Sequence, residues 1–213
     1  MTVASRPVVA VLDYGIGNLR SAQKALEHVG ADARLTADAA LAADAAAVVL
    51  PGVGAFGRCM EALHDTGLAE VAREAAASGR PFLGICVGMQ LMFDASEEDP
   101  GVPGLGILAG TVRALPPGVK RPQMQWNTLV PVRPSRLLEG LAEPAWMYFV
   151  HSYAPVPADL GLVVATCDYG GPVVAAVETG SVAATQFHPE KSGRDGLSLL
   201  GSWVRAVAAV PSR

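Results

Sequence analysis

Short apolar runs alternate with helical patterns along the first half of the chain, and this alternation limits the possible folds most strongly. The runs Pro7–Leu12, Ala46–Leu50 and Pro81–Ile85 are almost continuously apolar, as is typical of strands buried on both faces of a parallel sheet. Helical patterns occupy residues 18–29 and 68–78, and each is followed by a glycine. The sequence therefore predicts an α/β fold, with helices on both faces of a mostly parallel central sheet.

The second half of the chain has a different character. From Leu105 to Phe187 it is rich in Val, Thr, Tyr and turn residues and lacks helical periodicity, which predicts strands added to the sheet in antiparallel fashion. A closing helix is predicted from apolar residues at helical spacing: Leu197, Leu200, Val204 and Val207. We expect a single domain over residues 1–213.

Composition excludes several classes of protein. The 213 residues are 51% hydrophobic and carry a net charge of −4, so neither disorder nor a basic nucleic-acid-binding surface is indicated. No uncharged stretch reaches the length of a membrane span. The cysteines Cys59, Cys86 and Cys167 form no Cys-x-x-Cys pair, which argues against a disulfide framework or a zinc site. We expect a cytoplasmic protein with no metal and no cofactor.

The junction of the third apolar run with the next helix carries the sharpest chemical signal. Residues 84–88 read Gly-Ile-Cys-Val-Gly, the cysteine form of a nucleophile elbow. Gly84 and Gly88 provide the two nearly side-chain-free positions that such a tight turn requires. The turn predicts that Cys86 lies at the carboxyl edge of the sheet and at a helix N-terminus, which favours a thiolate. The alternative from these five residues alone is a structural cysteine in a glycine-rich loop.

A base for this thiol is offered near the end of the chain. His188 and Glu190 are two residues apart, and in an extended segment they would face the same side. The carboxylate could then orient the imidazole, as in a catalytic triad. Taken alone, the pair could also be a chance His-x-Glu at a surface strand end.

Acyl transfer also needs donors for an oxyanion. The backbone N–H of Val87 follows the nucleophile, and residues 51–54, Pro-Gly-Val-Gly, could supply the N–H of Val53. A phosphate cradle is the rival use of this loop, but no Gly-Lys-Ser/Thr follows it. The Gly-x-Gly turn at residues 15–17 lacks the third glycine of a dinucleotide fingerprint.

Together these motifs resemble the class I, triad-type glutamine amidotransferases, in particular the glutaminase subunits of imidazole glycerol phosphate synthases of histidine biosynthesis. Met89 and Lys191 distinguish the chain from the anthranilate-type relatives, which usually carry His at the first position and lack the lysine. The resemblance runs along almost the whole chain, at residues 13–21, 50–57, 84–91, 148–153 and 186–192.

The resemblance implies a flavodoxin-like fold and hydrolysis of L-glutamine to L-glutamate and ammonia. Cys86 would attack the side-chain amide, His188 would protonate the departing ammonia, and Glu190 would orient His188. Val53 and Val87 would form the oxyanion hole. The substrate would be bound by Gly52, Gln90, Glu98, His151, Ser152 and Tyr153, with Glu98 meeting the α-ammonium. A solvated helix end is the alternative for Glu98, and a structural role is favoured for the His151 side chain.

The resemblance also implies a partner. Ammonia would pass to a (β/α)8-barrel cyclase subunit, which forms imidazole glycerol phosphate and an aminoimidazole carboxamide ribonucleotide and whose ligand would activate the glutaminase. Asn18, Trp126 and Lys191 match interface positions. Gln123 and Gln125 depart from the family, where His and Gly are expected. Losing the His removes a possible interface contact, and losing the Gly adds a side chain where backbone freedom is expected.

Three other interpretations stay open at this point. A stand-alone Cys-His hydrolase of flavodoxin-like fold would be active without a partner. The glutaminase subunit of another amidotransferase would share the triad. A non-catalytic interaction subunit would keep the fold, although the intact Cys86, His188 and Glu190 argue against that interpretation.

Overall fold

The computed structural model describes residues 6–17 and 19–209. Its strands are β1 Val8–Leu12, β2 Asp32–Thr36, β3 Ala47–Gly52, β4 Phe82–Cys86, β5 Ala95–Ser96, β6 Gly110–Ala114, β7 Gln123–Thr128, β8 Val130–Pro131, β9 Trp146–His151, β10 Tyr153–Pro157, β11 Val163–Asp168, β12 Pro172–Thr179 and β13 Val182–Thr185. Its α-helices are α1 Leu19–His28, α2 Ala39–Asp44, α3 Phe56–Asp65, α4 Leu68–Ala77, α5 Val87–Leu91 and α6 Gly193–Ala208.

The central sheet has eight strands in the order β2-β1-β3-β4-β13-β12-β11-β8. The first five are parallel, in the flavodoxin-like order, and β12, β11 and β8 follow, each pairing antiparallel with the strand before it. Every residue of β3 and β4 is buried, because helices pack on both faces of the sheet. One group consists of α1 and α6, which contact each other. In the other group, α4 contacts α2 and α3, and α3 contacts α5. The predicted α/β architecture with an antiparallel extension is confirmed.

Some strands of the second half do not join this sheet. β5, β6 and β10 form a three-stranded sheet, and β7 pairs with β9 in a two-stranded one. The expectation that strands between Leu105 and Phe187 add to the central sheet in antiparallel fashion is therefore wrong for β6, β7, β9 and β10. It is also wrong for the pairing of β13 with β4, which is parallel. Among the described residues, no helix is long and apolar enough to cross a membrane.

The topology brings the predicted motifs to one edge of the sheet. β4 lies between β3 and β13, so the carboxyl ends of all three strands meet. Gly52, at the end of β3, is the register partner of Cys86, and the segment after β13 leads directly to His188. Helix α5 begins at this edge, where an added Cβ on Gly88 would overlap the carbonyl of Leu50.

Candidate active site

Cys86 stands at a strained turn. Its φ of 56° and ψ of −112° lie in a region that L-residues rarely adopt, and among residues 6–17 and 19–209 no other non-glycine has a positive φ. Such conformations persist where the surrounding structure imposes them, and they cluster at functional sites. Cys86 is 3% exposed. Gly84 and Gly88 are needed because a Cβ at either would collide with Met92 or with the Leu50 backbone.

His188 and Glu190 form a buried hydrogen-bonded pair. The distance from His188 Nδ1 to Glu190 Oε1 is 2.8 Å, and the side chains are 2% and 5% exposed. The expectation of an extended segment is wrong, since Pro189–Lys191 is a 3-10 turn; the turn itself folds the carboxylate back onto the imidazole. The backbone of His188 is fixed on both sides, with its N–H donating to Tyr148 O and its carbonyl accepting from Ser192 Oγ.

The surroundings of His188 favour its charged form. Burial lowers the pKa of His188, but the nearby Cys86 and Glu190 outweigh burial and raise it to about 9. The bond to Glu190 occupies Nδ1 and leaves Nε2, buried and without a hydrogen-bond partner in the described part of the chain. An imidazolium beside a cysteine sulfur is the arrangement that activates a thiolate and later donates a proton.

Two glutamines form a network around the sulfur of Cys86. Gln186 Nε2 donates to Cys86 Sγ over 3.8 Å. Gln90 Nε2 donates to Gln186 Oε1 at 3.0 Å and to the carbonyl of Tyr153 at 2.9 Å. Sequence reasoning did not assign Gln186 to the site. Gln186 comes directly after β13 and two residues before His188, but no local pattern of the sequence marks its contact with Cys86.

One cavity of about 410 Å³ opens above these groups, a size typical of a small-molecule site. The predicted residues on its wall are Val53, Cys86, Val87, Gln90, Glu98, His151, Ser152, Tyr153, His188 and Lys191. Gly52 and Glu190 do not line it; both line a second, smaller cavity, which His188 also borders. The structure thus brings together triad, oxyanion and substrate candidates from distant parts of the sequence.

His151 is held as a neutral imidazole. Burial lowers its pKa to about 4, and Nδ1 lies 2.8 Å from the carbonyl of Tyr153, so Nδ1 carries the proton. Nε2 is buried and has no partner among the described residues. Among the described residues its hydrogen bond is thus to a backbone carbonyl, which is consistent with a structural rather than a catalytic side chain.

Glu98 faces the cavity but also stabilises a helix. Its Oε2 accepts from the N–H of Phe56 at 2.9 Å, and Asp99 Oδ2 accepts from the N–H of Gly57 at 2.7 Å. Both carboxylates therefore cap the N-terminus of α3. The alternative of a solvated helix end is wrong, because no helix includes residues 97–99.

The interface candidates occupy different places. Trp126 is 48% exposed on β7 and stacks edge-on against Tyr148, with ring centroids 6.0 Å apart. Lys191 stands at the cavity wall. Asn18 lies outside the described residues.

Gln123 and Gln125, the two residues of β7 that depart from the family pattern, lie in different environments. Gln123 is fully buried, and its Nε2 faces Cys167 Sγ at 3.9 Å. The side chain at this position therefore points into the protein. Gln125 is exposed on a strand, where an ordinary extended backbone needs no glycine.

Comparisons with known proteins identify the family of the chain. A family model for glutamine amidotransferase class-I matches residues 10–203, and the chain belongs to that family. Two solved structures share the fold: a glutamine amidotransferase with a TM-score of 0.70 and 24% identity, covering 95% of this chain and 99% of that one, and PurLQS from Thermotoga maritima with a TM-score of 0.69 and 20% identity, covering 96% and 98%.

Curated relatives narrow the family further. The imidazole glycerol phosphate synthase subunit HisH of Methanothermobacter thermautotrophicus is 48% identical over 202 residues, which are 95% of this chain and 100% of that protein. The subunit of the same name from Deinococcus radiodurans is 50% identical over 209 residues, covering 97% of both proteins. Within the amidotransferases, the chain therefore belongs to the HisH family.

Proposed function

We propose that the chain hydrolyses L-glutamine to L-glutamate and ammonia as the glutaminase subunit of an imidazole glycerol phosphate synthase. The observation that carries this proposal is the buried His188–Glu190 bond of 2.8 Å, formed beside the strained elbow that presents Cys86 to the same cavity. Family membership supports the reaction class. We propose that residues 1–213 act as one cytoplasmic amidotransferase domain.

The proposed reaction proceeds through a thioester. The Cys86 thiolate attacks the carboxamide carbon of glutamine, and the charge that develops on oxygen is stabilised by the N–H groups of Val53 and Val87. The imidazolium of His188 gives its proton to the nitrogen, and the C–N bond breaks to release ammonia. His188 then removes a proton from water, which attacks the thioester, and glutamate leaves as the thiolate is restored. Glu190 orients His188 throughout.

The cavity wall supports the proposed substrate contacts. The carboxylate of Glu98 would meet the α-ammonium of glutamine, and the backbone at Ser152 and Tyr153 would hold the α-carboxylate. Gln90 and Gly52 would contribute as in the family, Gln90 through the amide network that reaches Cys86. His151 would shape the wall through its neutral ring.

A (β/α)8-barrel cyclase is the proposed partner. Relatives named as subunits of a synthase support assembly with a second chain. An exposed apolar face of the β7–β9 pair suits such an interface, and its outward residues are Met124 at 62% exposure, Trp126 at 48% and Trp146 at 49%. Lys191 would link this partner to the cavity, and we keep Asn18 as an interface candidate. Ammonia would pass across this interface to the cyclase, which would use it in forming imidazole glycerol phosphate and the carboxamide ribonucleotide.

The test is glutamate release by the purified chain, alone and with the cyclase subunit plus its nucleotide ligand. We expect little release alone and strong activation in the complex. Cys86→Ser should abolish hydrolysis and keep partner binding, measured by size-exclusion chromatography. Full activity that does not depend on the cyclase would favour a stand-alone hydrolase or another amidotransferase. Hydrolysis by the Cys86→Ser complex would refute the assignment of Cys86 as the nucleophile.

A further inference from the structure

Two buried side chains outside the proposed triad bind the loop that carries Val53. Tyr14 follows β1 and is 2% exposed, and Cys59 lies within α3 and is fully buried. The Tyr14 hydroxyl donates to the carbonyl of Pro51 at 2.7 Å. The Cys59 thiol donates to the carbonyl of Val53 at 3.4 Å. The mechanism above uses neither side chain.

These two bonds enclose one peptide group. The Pro51 carbonyl belongs to the peptide before Gly52, and the Val53 carbonyl belongs to the peptide after Val53. The peptide between them carries the Val53 N–H, the proposed oxyanion donor. Because both neighbouring peptides are anchored, the Cα atoms of Gly52 and Val53 are held in place. The central peptide can then change its orientation only by turning about the line that joins these two atoms.

Packing leaves this segment little space to shift. A Cβ added to Gly52 would lie 2.7 Å from the backbone nitrogen of Gly88 and 2.9 Å from the Tyr14 hydroxyl. The end of β3 is therefore held between the elbow on one side and Tyr14 on the other. Burial raises the pKa of the Cys59 thiol to about 11 and that of Tyr14 above its usual value, so both groups keep their protons at neutral pH.

We propose that Tyr14 and Cys59 are positioning residues that hold the Val53 N–H in the orientation needed to donate to the oxyanion of the tetrahedral intermediate. This inference rests on the proposed glutaminase function and adds two residues to it. Neither side chain touches the substrate; each acts through a carbonyl of the loop. A misplaced donor lowers the rate of the acyl-transfer step and leaves ground-state binding of glutamine nearly unchanged.

The experiment measures glutamine hydrolysis by the complex with the cyclase subunit and its nucleotide ligand, for wild type, Tyr14→Phe and Cys59→Ala. We expect kcat to fall about tenfold in each variant, with KM within about twofold, because sub-ångström misplacement of a donor costs rate more than affinity. Cys59→Ser keeps a hydroxyl donor and should recover most of kcat. Cys167→Ala is the matched control, since it also removes a fully buried thiol but lies in β11, outside the loop.

The rate at which iodoacetamide alkylates Cys86 distinguishes a misplaced oxyanion donor from a wider distortion of the site. This displacement builds no oxyanion, so its rate should be the same in wild type, Tyr14→Phe and Cys59→Ala. Unchanged kcat in both variants, or a fall in kcat matched by Cys167→Ala or by slower alkylation, would overturn the inference. A wild-type complex that releases no glutamate would instead refute the proposed function itself, and the inference with it.

Discussion

The strain at Cys86 leads to a quantitative prediction about stability. With φ at 56° and ψ at −112°, a residue with a Cβ pays on the order of 1–3 kcal/mol. Glycine avoids this cost but loses about 0.4–1 kcal/mol through the greater freedom of the unfolded chain. Cys86→Gly should therefore be more stable than Cys86→Ala by about 1 kcal/mol, since both variants lose the thiol and its contacts equally. For a chain of this size that difference corresponds to about 2–4 °C in Tm.

The assay is thermal and urea unfolding of the two variants, with Cys59→Gly and Cys59→Ala as the matched pair. Cys59 lies inside helix α3, where glycine should be the less stable by about 1 kcal/mol. The sign of the glycine effect should thus reverse between the two buried cysteines. If Cys86→Ala is at least as stable as Cys86→Gly while the Cys59 pair behaves as expected, the elbow is not strained.

Further predictions concern the elbow and the triad. Gly88→Ala should destabilise the fold by about 3 kcal/mol, because its Cβ would overlap the Leu50 carbonyl; a urea midpoint equal to that of the wild type would contradict this. Glu190→Gln should lower kcat about a thousandfold or more by removing the carboxylate that orients His188, with KM for glutamine as the control. The pKa of His188 is raised from 6.5 to about 9, so the protonated imidazole stabilises the folded state. This contribution is complete below pH 6.5 and is lost as pH rises through 9. Melting curves between pH 6.5 and 10 should show this loss in wild type and not in His188→Gln.

Much of the fold could be predicted because buried parallel strands leave a clear pattern. Continuous apolar runs gave β1, β3 and β4 within two residues at each end, and the glycines at 84 and 88 revealed the elbow. Helix α3 went unpredicted, although Phe56, Cys59, Met60 and Leu63 have helical spacing. The glycine-rich loop before it obscured the start, which is capped by the distant carboxylates of Glu98 and Asp99.

What could not be predicted depends on contacts between distant segments. The network from Gln90 through Gln186 to Cys86 spans about half the chain, and no local pattern encodes such a contact. The burial of Gln123 depends on the separate pairing of β7 with β9. The His188–Glu190 contact was predicted on the basis of a strand, but the 3-10 turn at Pro189–Lys191 provides it.

The central claim is that Cys86 is the activated thiol of a glutamine site. The most direct test is alkylation with a chloroketone analogue of glutamine, followed by peptide mass mapping of all three cysteines. We predict a single adduct at Cys86 that excess glutamine prevents, because Cys59 and Cys167 are fully buried and burial raises the pKa of each thiol to about 11. Labelling spread over the three cysteines, or an adduct at Cys86 that glutamine does not block, would contradict the claim.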